Sequence, residues 1–413
     1  MSTYEDNYRA YLAALKRGDY TKLAKLEFLS PDGTTAFTVA NGSGRYDGAF
    51  LQSGTLNVNF QNGMRRTATV TLSNLDEEFS FNVNKLWFGQ QIRLSEGLIL
   101  PDGTEFYIPQ GVFYIKDPNE TWKPGQKTAA LNLVDKWAYL DGTLFGNLDG
   151  IYEVPVDSPI FPAIASVLAF DRGNGHAVDD TAPIFTDYYN GKTQTLPDGT
   201  TAYLTDTPYT LRADGDGGTY ADVILGLNNM LVGVIGYDPT GRLRLEPSQD
   251  DLDDADKEIQ WDFTTTEKQF LGATYTVLNS QVYNDIIVQG ELNDDYSQPY
   301  GRATNTDPAS DLNIYGALGR RTRIISASGY ATDRQCEDRA AWELKRQCVL
   351  KKSVSIQSGQ IFHIQENRLV TIRRTDKLGS PVERHLVTGF SRPIGQTGAM
   401  TVNATSVQDI ARI

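Results

Sequence analysis

Histidine, cysteine and methionine are scarce in this chain: its 413 residues include three His, two Cys and four Met. The histidines, His176, His363 and His385, are dispersed and form no HExxH pair and no cluster at the spacing that holds zinc or iron, so no metal site is expected. His363 and His385 fall in segments that alternate like strands, where an ordinary hydrogen-bonded histidine is the expected role. Basic charge is also short, with 38 Lys+Arg against 52 Asp+Glu and a formal net charge of −14. Such a surface repels phosphate backbones, so no specific nucleic-acid binding is expected, although an acidic wall suits the passive passage of DNA. Long apolar runs are missing too. The longest, Ile224 to Ile235, is broken by Asn228, Asn229 and Gly233, and no membrane span is expected. The opening residues Tyr4-Glu5-Asp6-Asn7-Tyr8 are acidic where a secretory signal is basic, which points to folding in a cytoplasm.

Catalytic signatures are absent in the same way. Gly191-Lys192-Thr193 ends like a phosphate-binding loop, but Thr186 stands where that loop needs glycine. Gly173-Asn174-Gly175 lacks the third glycine of a dinucleotide fingerprint, and no GxSxG element occurs. Asp214-Gly215-Asp216-Gly217-Gly218 resembles a calcium loop without its closing Glu, since Leu225 stands there. With 52 acids, a chance pair of carboxylates at glycosidase spacing carries no signal. No catalytic, cofactor-binding or metal-ligating residue is nominated, and the expectation is a protein that is not an enzyme.

The two cysteines, Cys336 and Cys348, lie in a segment from Thr332 to Lys351 that reads as a helix. Thr332 and Gln335 have capping-box spacing, and Cys336, Ala340, Leu344 and Cys348 recur every fourth residue. At about 1.5 Å per helical residue the sulfurs stand roughly 18 Å apart, far beyond disulfide reach. Both are expected as buried thiols on the helix's core face.

What is present is mostly β pattern. Hydrophobic residues make up 40% and charged residues 22%, enough for real cores, and the length suggests two to four domains. Residues 3 to 26 read as helical, with Tyr4, Tyr8, Tyr11, Leu12 and Leu15 on one stripe and a break at Gly18-Asp19. Period two then takes over. Leu56 to Phe60 and Ala68 to Leu72 flank Asn62-Gly63, which supplies the positive φ that a tight hairpin needs. The PDGT turns at Pro31, Pro101 and Pro197 read as shared turn chemistry rather than a repeat. In the middle, helices are expected at Ile160 to Phe170 and Ala221 to Leu231, the latter leading into a hairpin through Asp238 to Gly241. Asp250 to Glu258 reads as a solvated acidic loop. Strands resume with Tyr275 and Ile286 to Val288. After a polar loop, Asn293 to Asp311, and the cysteine-bearing helix, four more follow at Lys352 to Ile364, Leu369 to Arg374, Arg384 to Phe390 and Met400 to Thr405.

The expected fold is mainly β with an α+β insertion: two small antiparallel β-barrels around a mixed middle. The boundaries are a helical segment at 1–27, a first barrel at 28–145, an insertion at 146–269, and a second barrel at 270–413 with its preceding helix at 332–350.

Three stretches carry a family resemblance. The first runs from SGTLNVNFQNGMRRTATVTLSNL through FGQQIRLSEGLILPDGTEFYIPQGVFYIKD to KTAALNLVDKWAYLDG, with Gly111, Phe113, Ile115, Asp135 and Trp137 at its characteristic positions. The second is ADVILGLNNMLVGVIGYDPTGRLRLEP. The third joins VYNDIIVQGEL, TDRQCEDRAAWELKRQC and NRLVTIRRTDKLGSPVERHLVTGFSRPIGQTGAMTVNA. Together they resemble the baseplate hub, or tail-tip hub, proteins of tailed phages and related contractile particles. The resemblance implies a virion structural protein of the tail, assembled in the host cytoplasm. It implies a homotrimer whose two barrels per chain make a ring of six, continuing the hexameric tail tube around an axial channel for the genome. The implied partners are the tail tube or distal tail protein, spike or fibre and other baseplate proteins, and the tape-measure protein. Some longer relatives carry a cell-wall-degrading extension after the hub; the sequence ends at Ile413, and none is expected. Arg65-Arg66 and Arg320-Arg321 are expected at interfaces or outer surfaces, away from a DNA channel. The competing reading is a carbohydrate-binding adhesin, suggested by 21 Tyr and five Trp in a β-rich chain, with a glycan hydrolase behind it.

Overall fold

The computed structural model describes residues 3–18, 20–41, 50–75, 77, 79–80, 89–173, 175–195, 199–213, 218–277, 280, 282–290, 292, 296–326, 330, 333–348, 352–373 and 382–407. The calcium-like stretch at 214–217, Asn174 and Thr332 lie outside the described residues.

Helix α1 (Tyr4–Arg17) starts with a capping box: Thr3 Oγ1 accepts from the Asp6 backbone N–H, and the Asp6 carboxylate accepts from that of Thr3. It ends at Gly18, whose left-handed φ of 70° closes the last turn. The helix expected to run to residue 26 therefore stops earlier, and Lys22–Leu29 is strand β1, with Leu26 and Phe28 turned into the core.

The strands that follow are β2 (Thr35–Ala40), β3 (Leu51–Asn59), β4 (Arg66–Ser73), β5 (Gln91–Ile99), β6 (Glu105–Lys123) and β7 (Gln126–Asp135). The Asn62-Gly63 turn joins β3 to β4 as expected, with Leu56 opposite Ala68 and Gly63 at φ 99°. In space β3 to β7 lie in the order β3-β4-β7-β6-β5, all antiparallel, and β1 and then β2 extend the β5 side.

The C-terminal strands repeat this path. Phe270–Val277, Lys352–Ser358, Leu369–Arg373, Glu383–Pro393 and Met400–Ser406 lie in the spatial order first-second-fifth-fourth-third, again all antiparallel. Ile259–Thr264 adds to the third strand in parallel. No sequence repeat announced this, because the two units share a path and an alternation of burial, not residues.

The expected pair of closed barrels is not what the ladders form. Among the described residues the strands make one 13-stranded sheet, because Glu383–Pro393 pairs antiparallel with β3, from Gly389 opposite Asn59 to Pro393 opposite Thr55. The edge that would close the first unit is taken by the second. One core accordingly serves both: Tyr11, Leu56, Phe113, Phe263, Ile356 and Phe390 belong to a single buried cluster.

The middle builds its own core from α2 (Ile160–Leu168), α3 (Tyr220–Leu231) and the hairpin Val234–Tyr237/Leu243–Glu246. A third, smaller cluster lies under α4 (Asp333–Gln347), which crosses the sheet formed by Asp285–Gln289, Tyr300–Thr304 and Thr322–Ser326. The stretch expected as a polar loop thus contains a strand, Tyr300–Thr304. Its partner strand carries buried Asp285, whose carboxylate takes both Arg302 Nε (2.8 Å) and Nη2 (2.7 Å) together with the Thr304 and Thr322 hydroxyls. Those bonds, Arg302 first, hold it well below the usual carboxylate range. Cys336 is buried as expected. Cys348 differs: it follows the last turn of α4, is only half-buried, and accepts from Asn305 Nδ2 at 3.2 Å.

His363 sits in the loop between two strands rather than in a strand, because Tyr11 of α1 organises that loop. The Tyr11 hydroxyl accepts from the Phe362 N–H at 3.0 Å and meets His363 Nδ1 at 3.1 Å, while Nε2 faces the Gln260 carbonyl at 3.1 Å. A carbonyl only accepts, so Nε2 carries the proton and Nδ1 takes the tyrosine hydroxyl: a neutral ring. Burial pushes its pKa down to about 4, against a weaker upward pull from the Gln260 carbonyl. Between that value and the ordinary one of about 6.5, the unfolded chain binds a proton that the folded chain refuses. Stability should therefore fall by roughly 3 kcal/mol as the pH drops through this window, and be fully present above it. Urea unfolding of the wild type and His363→Gln across pH 7 to 4 checks this: the stability difference between them should change with pH, and parallel profiles would refute it.

Candidate functional site: the joint between the two β units

The joint is made where two strand edges meet, and a backbone edge accepts a partner only where side chains leave room. Gly389 sits at a bulge in Glu383–Pro393, and a Cβ there would approach the Val58 carbonyl oxygen to 2.6 Å. Glycine is the residue that lets the two units close on each other at this point.

Behind the ladder lies a set of buried charges drawn from distant parts of the chain. Arg392, fully buried, donates through Nε to Glu96 Oε2 at 2.8 Å, through Nη1 to the Ile361 carbonyl at 3.2 Å, and through Nη2 to Gln110 Oε1. It thereby ties the second unit to β5 and β6 of the first. Burial pushes the Glu96 carboxyl up and Arg392 pulls it back only in part. Arg66 makes the opposite link: from β4 it pairs with Glu366 Oε2 at 2.7 Å and donates to the Gln110 carbonyl at 3.3 Å. Arg65 approaches the same carboxylate, at 3.6 Å, and donates through Nε to the Gln61 carbonyl at 2.8 Å. The pair expected at an interface or outer surface is instead interior: Glu366 and nearby backbone carbonyls take Arg66 and part of Arg65, whose Nη2 is buried without a hydrogen-bond partner among the described residues. Arg320, by contrast, is half-exposed, at 4.0 Å from Asp285.

Asp135, singled out in the sequence by its place before Trp137, acts as a backbone staple. Its Oδ2 accepts from the N–H groups of Arg65 (2.8 Å) and Arg66 (2.9 Å), and Oδ1 from that of Trp137 (3.0 Å). It ends β7, caps the short helix Lys136–Tyr139 and fixes the start of β4. Burial raises its pKa to about 6 despite those three bonds.

The middle docks on the same place. Asn62 Oδ1 accepts from the Ile235 N–H at 2.9 Å, and the Gly63 N–H donates to the Ile235 carbonyl at 3.0 Å, so the hairpin turn lies along the middle's own hairpin. Arg368 grips Glu246 with two bonds (2.7 and 3.0 Å) and reaches Glu258 at 2.8 Å. Burial raises the Glu246 carboxyl, but Arg368 outweighs it, and the net shift is downward. Asn367, at φ 55°, donates to Glu246 and to the Pro247 carbonyl. The acidic stretch read as solvated is therefore partly interior: Asp250 and Asp251 are buried, and Glu258 is ion-paired. A cavity of about 280 Å³ opens beside this docking point, lined by Asn62, Gly233, Asp251, Arg339 and Trp342 among others.

The remaining histidine of the pattern, His385, is buried in Glu383–Pro393 with Glu383 Oε2 at 3.4 Å, and burial lowers its pKa. Among the described residues no group of three or more His, Cys, Asp or Glu is placed to hold a metal ion, and no helix is long and apolar enough to cross a membrane.

Comparison with protein families and with curated proteins gives no match. Solved structures do match over nearly the whole chain. The 43 kDa tail protein of prophage MuSo2 from Shewanella oneidensis is 12% identical with a TM-score of 0.56, covering 94% of this chain and 98% of that one. A tail protein of Neisseria meningitidis MC58 is 9% identical with a TM-score of 0.57, covering 94% and 97%. Prophage tail protein gp18 of Listeria monocytogenes EGD-e is 10% identical with a TM-score of 0.53, covering 93% and 94%. At such identities the likeness shows the fold: this chain has the fold of phage tail proteins, the class to which the sequence resemblance pointed.

Removing one partner of a buried pair leaves the other charged and dry, so Arg392→Met should cost about 3–5 kcal/mol. Adding Glu96→Leu should return a good part of it, since no charge is then stranded. Denaturant midpoints of the two single variants and the double measure the coupling; a double variant as unstable as the sum of the singles would show that the pair does not act as a unit.

Proposed function

We propose that the chain is a structural hub of a phage-type tail tip or baseplate, three copies of which form a ring. The observation that carries this is the repeated strand path: two units, each ordered first-second-fifth-fourth-third, joined edge to edge within one chain. Three such chains place six similar units around an axis, which is how a threefold part can continue a sixfold tube. Closure of the ring satisfies every interface and prevents open-ended growth.

In this reading the ring leaves an axial channel for the genome. A net charge of −14 suits a wall past which phosphate slides without sticking, and acidic or neutral side chains face the hole. The partners are the tail tube or distal tail protein on one face and spike, fibre or other baseplate proteins on the other, with the tape-measure protein in the bore. The place of action is the virion tail, assembled in the host cytoplasm. The chain's work is to bind, align and transmit, and it carries no catalytic role.

The test is the assembled mass and shape. Three copies of a 45.7 kDa chain weigh about 137 kDa, which light scattering resolves from one, two or six. Negative-stain images should contain short rings with an axial hole. Compact monomeric knobs, or hydrolysis of peptidoglycan abolished by one Asp or Glu substitution, would sink the hub reading.

A further inference from the structure

The module that carries α4 has two layers. Ile286 and Val288 of the strand Asp285–Gln289 turn toward α4 and are buried with Cys336 and Ala340. Side chains alternate along a strand, so Asp285, Ile287 and Gln289 point the other way. The register sets their neighbours on that second face. Ile287 lies between Arg302 and Ile324, Asp285 between Thr304 and Thr322, and Gln289 between Tyr300 and Ser326. This side stays open: Ile324 is 60% exposed and Tyr300 44%. A solvated sheet face is ordinarily polar, yet the centre of this one is apolar, with Ile287 and Ile324 side by side.

Its charge is unbalanced as well. Arg302 commits Nε and Nη2 to Asp285, and the Thr304 and Thr322 hydroxyls fill the other acceptor sites of that carboxylate. Arg320 Nε stands 4.0 Å from Asp285 Oδ2, beyond hydrogen-bond reach, with half of its side chain exposed. Among the described residues no second carboxylate is ion-paired with either arginine. Two guanidiniums therefore meet one carboxylate. The surplus positive charge sits beside apolar surface, in a chain whose net charge is −14.

Exposed tyrosine and arginine around an apolar centre have the composition of a protein-binding patch. A nucleic-acid strand matches it poorly, because a polyanion needs a run of basic side chains and the acidity of the whole chain repels it. The surplus charge instead suits a carboxylate set among apolar groups.

We propose that this face docks a segment of a partner protein that presents an Asp or Glu carboxylate flanked by apolar side chains. The carboxylate meets the Arg320 guanidinium, whose planar fork matches its geometry, while the apolar side chains cover Ile324, Ile287 and the Tyr300 ring. The face is small, so the binding is reversible, and added salt weakens it. The inference goes beyond the ring reading and does not depend on it, since the face is complete within one chain.

Peptide selection tests it. The purified full chain selects from a displayed library of random peptides, and the Ile324→Asp variant serves as bait for counter-selection. Ile324 and Arg320 are exposed, so their variants should fold, which thermal unfolding checks; should Ile324→Asp unfold, Arg320→Glu takes its place as bait. Peptides kept by the wild type and lost on the variant should carry Asp or Glu next to Leu, Ile, Phe or Tyr. Fluorescence anisotropy of the leading peptide then reads affinity. Arg320→Glu and Ile324→Asp should each weaken binding about tenfold, and lysine in place of the peptide's acid should restore binding to Arg320→Glu. Thr35→Glu, on β2 of the large sheet, should change nothing. Enrichment that ignores both variants, peptides without an acid, or no enrichment at all overturns the proposal. A labelled single-stranded oligonucleotide that binds the wild type and fails on Arg320→Glu also overturns it, in favour of nucleic acid. A lower assembled mass for Ile324→Asp by light scattering gives the face to a second copy of this chain and overturns the partner reading. The mass of the wild type is measured separately, so a failed ring and a failed docking face are told apart.

Discussion

A β-sheet edge is a row of unsatisfied donors and acceptors, and the architecture of this chain follows from how those edges are disposed of. The ladder between β3 and Glu383–Pro393 satisfies an edge of each unit with the other. That one pairing converts two five-stranded units into a single sheet, merges their cores and rules out independent closure of the first. It also explains why so many charges are buried at the same place. Strands brought together from opposite ends of the chain need partners for their side chains, and Arg66, Arg392, Glu96 and Glu366 provide them in pairs that cross the joint.

Buried ion pairs contribute little net stability, because desolvation offsets the attraction, but they punish misalignment severely. A slip of the ladder by one residue would turn Arg392 away from Glu96 and Gln110 and leave the Arg392 and Glu96 charges apart in a dry interior. The charges therefore select one register among those that the backbone alone would accept. The middle is held by the same means: Arg368 and Asn367 clamp Glu246 while the Asn62-Gly63 turn lies along Ile235.

Much of the local structure was legible because it is set by short-range physics. Alternating apolar residues around Asn62-Gly63 gave the β3–β4 hairpin, and the helix expected at Ala221 to Leu231, leading into a hairpin through the turn at Asp238 to Gly241, is found as Tyr220–Leu231 followed by Val234–Tyr237/Leu243–Glu246. The strong patterns held. What failed were statements about environment. Arg65 and Arg66 look like surface residues until Glu366, 300 positions away from Arg66, is brought beside them. Asp250 and Asp251 read as solvated because acids usually are. His363 alternated with apolar neighbours as if in a strand, although Tyr11 holds it in a loop. Cys348 kept the helical spacing one residue past the point where α4 ends.

The sequence by itself determined the predominance of strands and the position of the sharp turns, because both depend on residues close together along the chain. Only the tertiary structure decided that the two units share a path, that they join edge to edge instead of closing, and which charges lie at the joint. Strand pairing depends on backbone groups that every residue possesses, so sequence carries almost no record of which edge meets which. Burial of a charge depends on a partner that arrives from elsewhere in the chain, and its cost or benefit exists only once the fold has brought the two together.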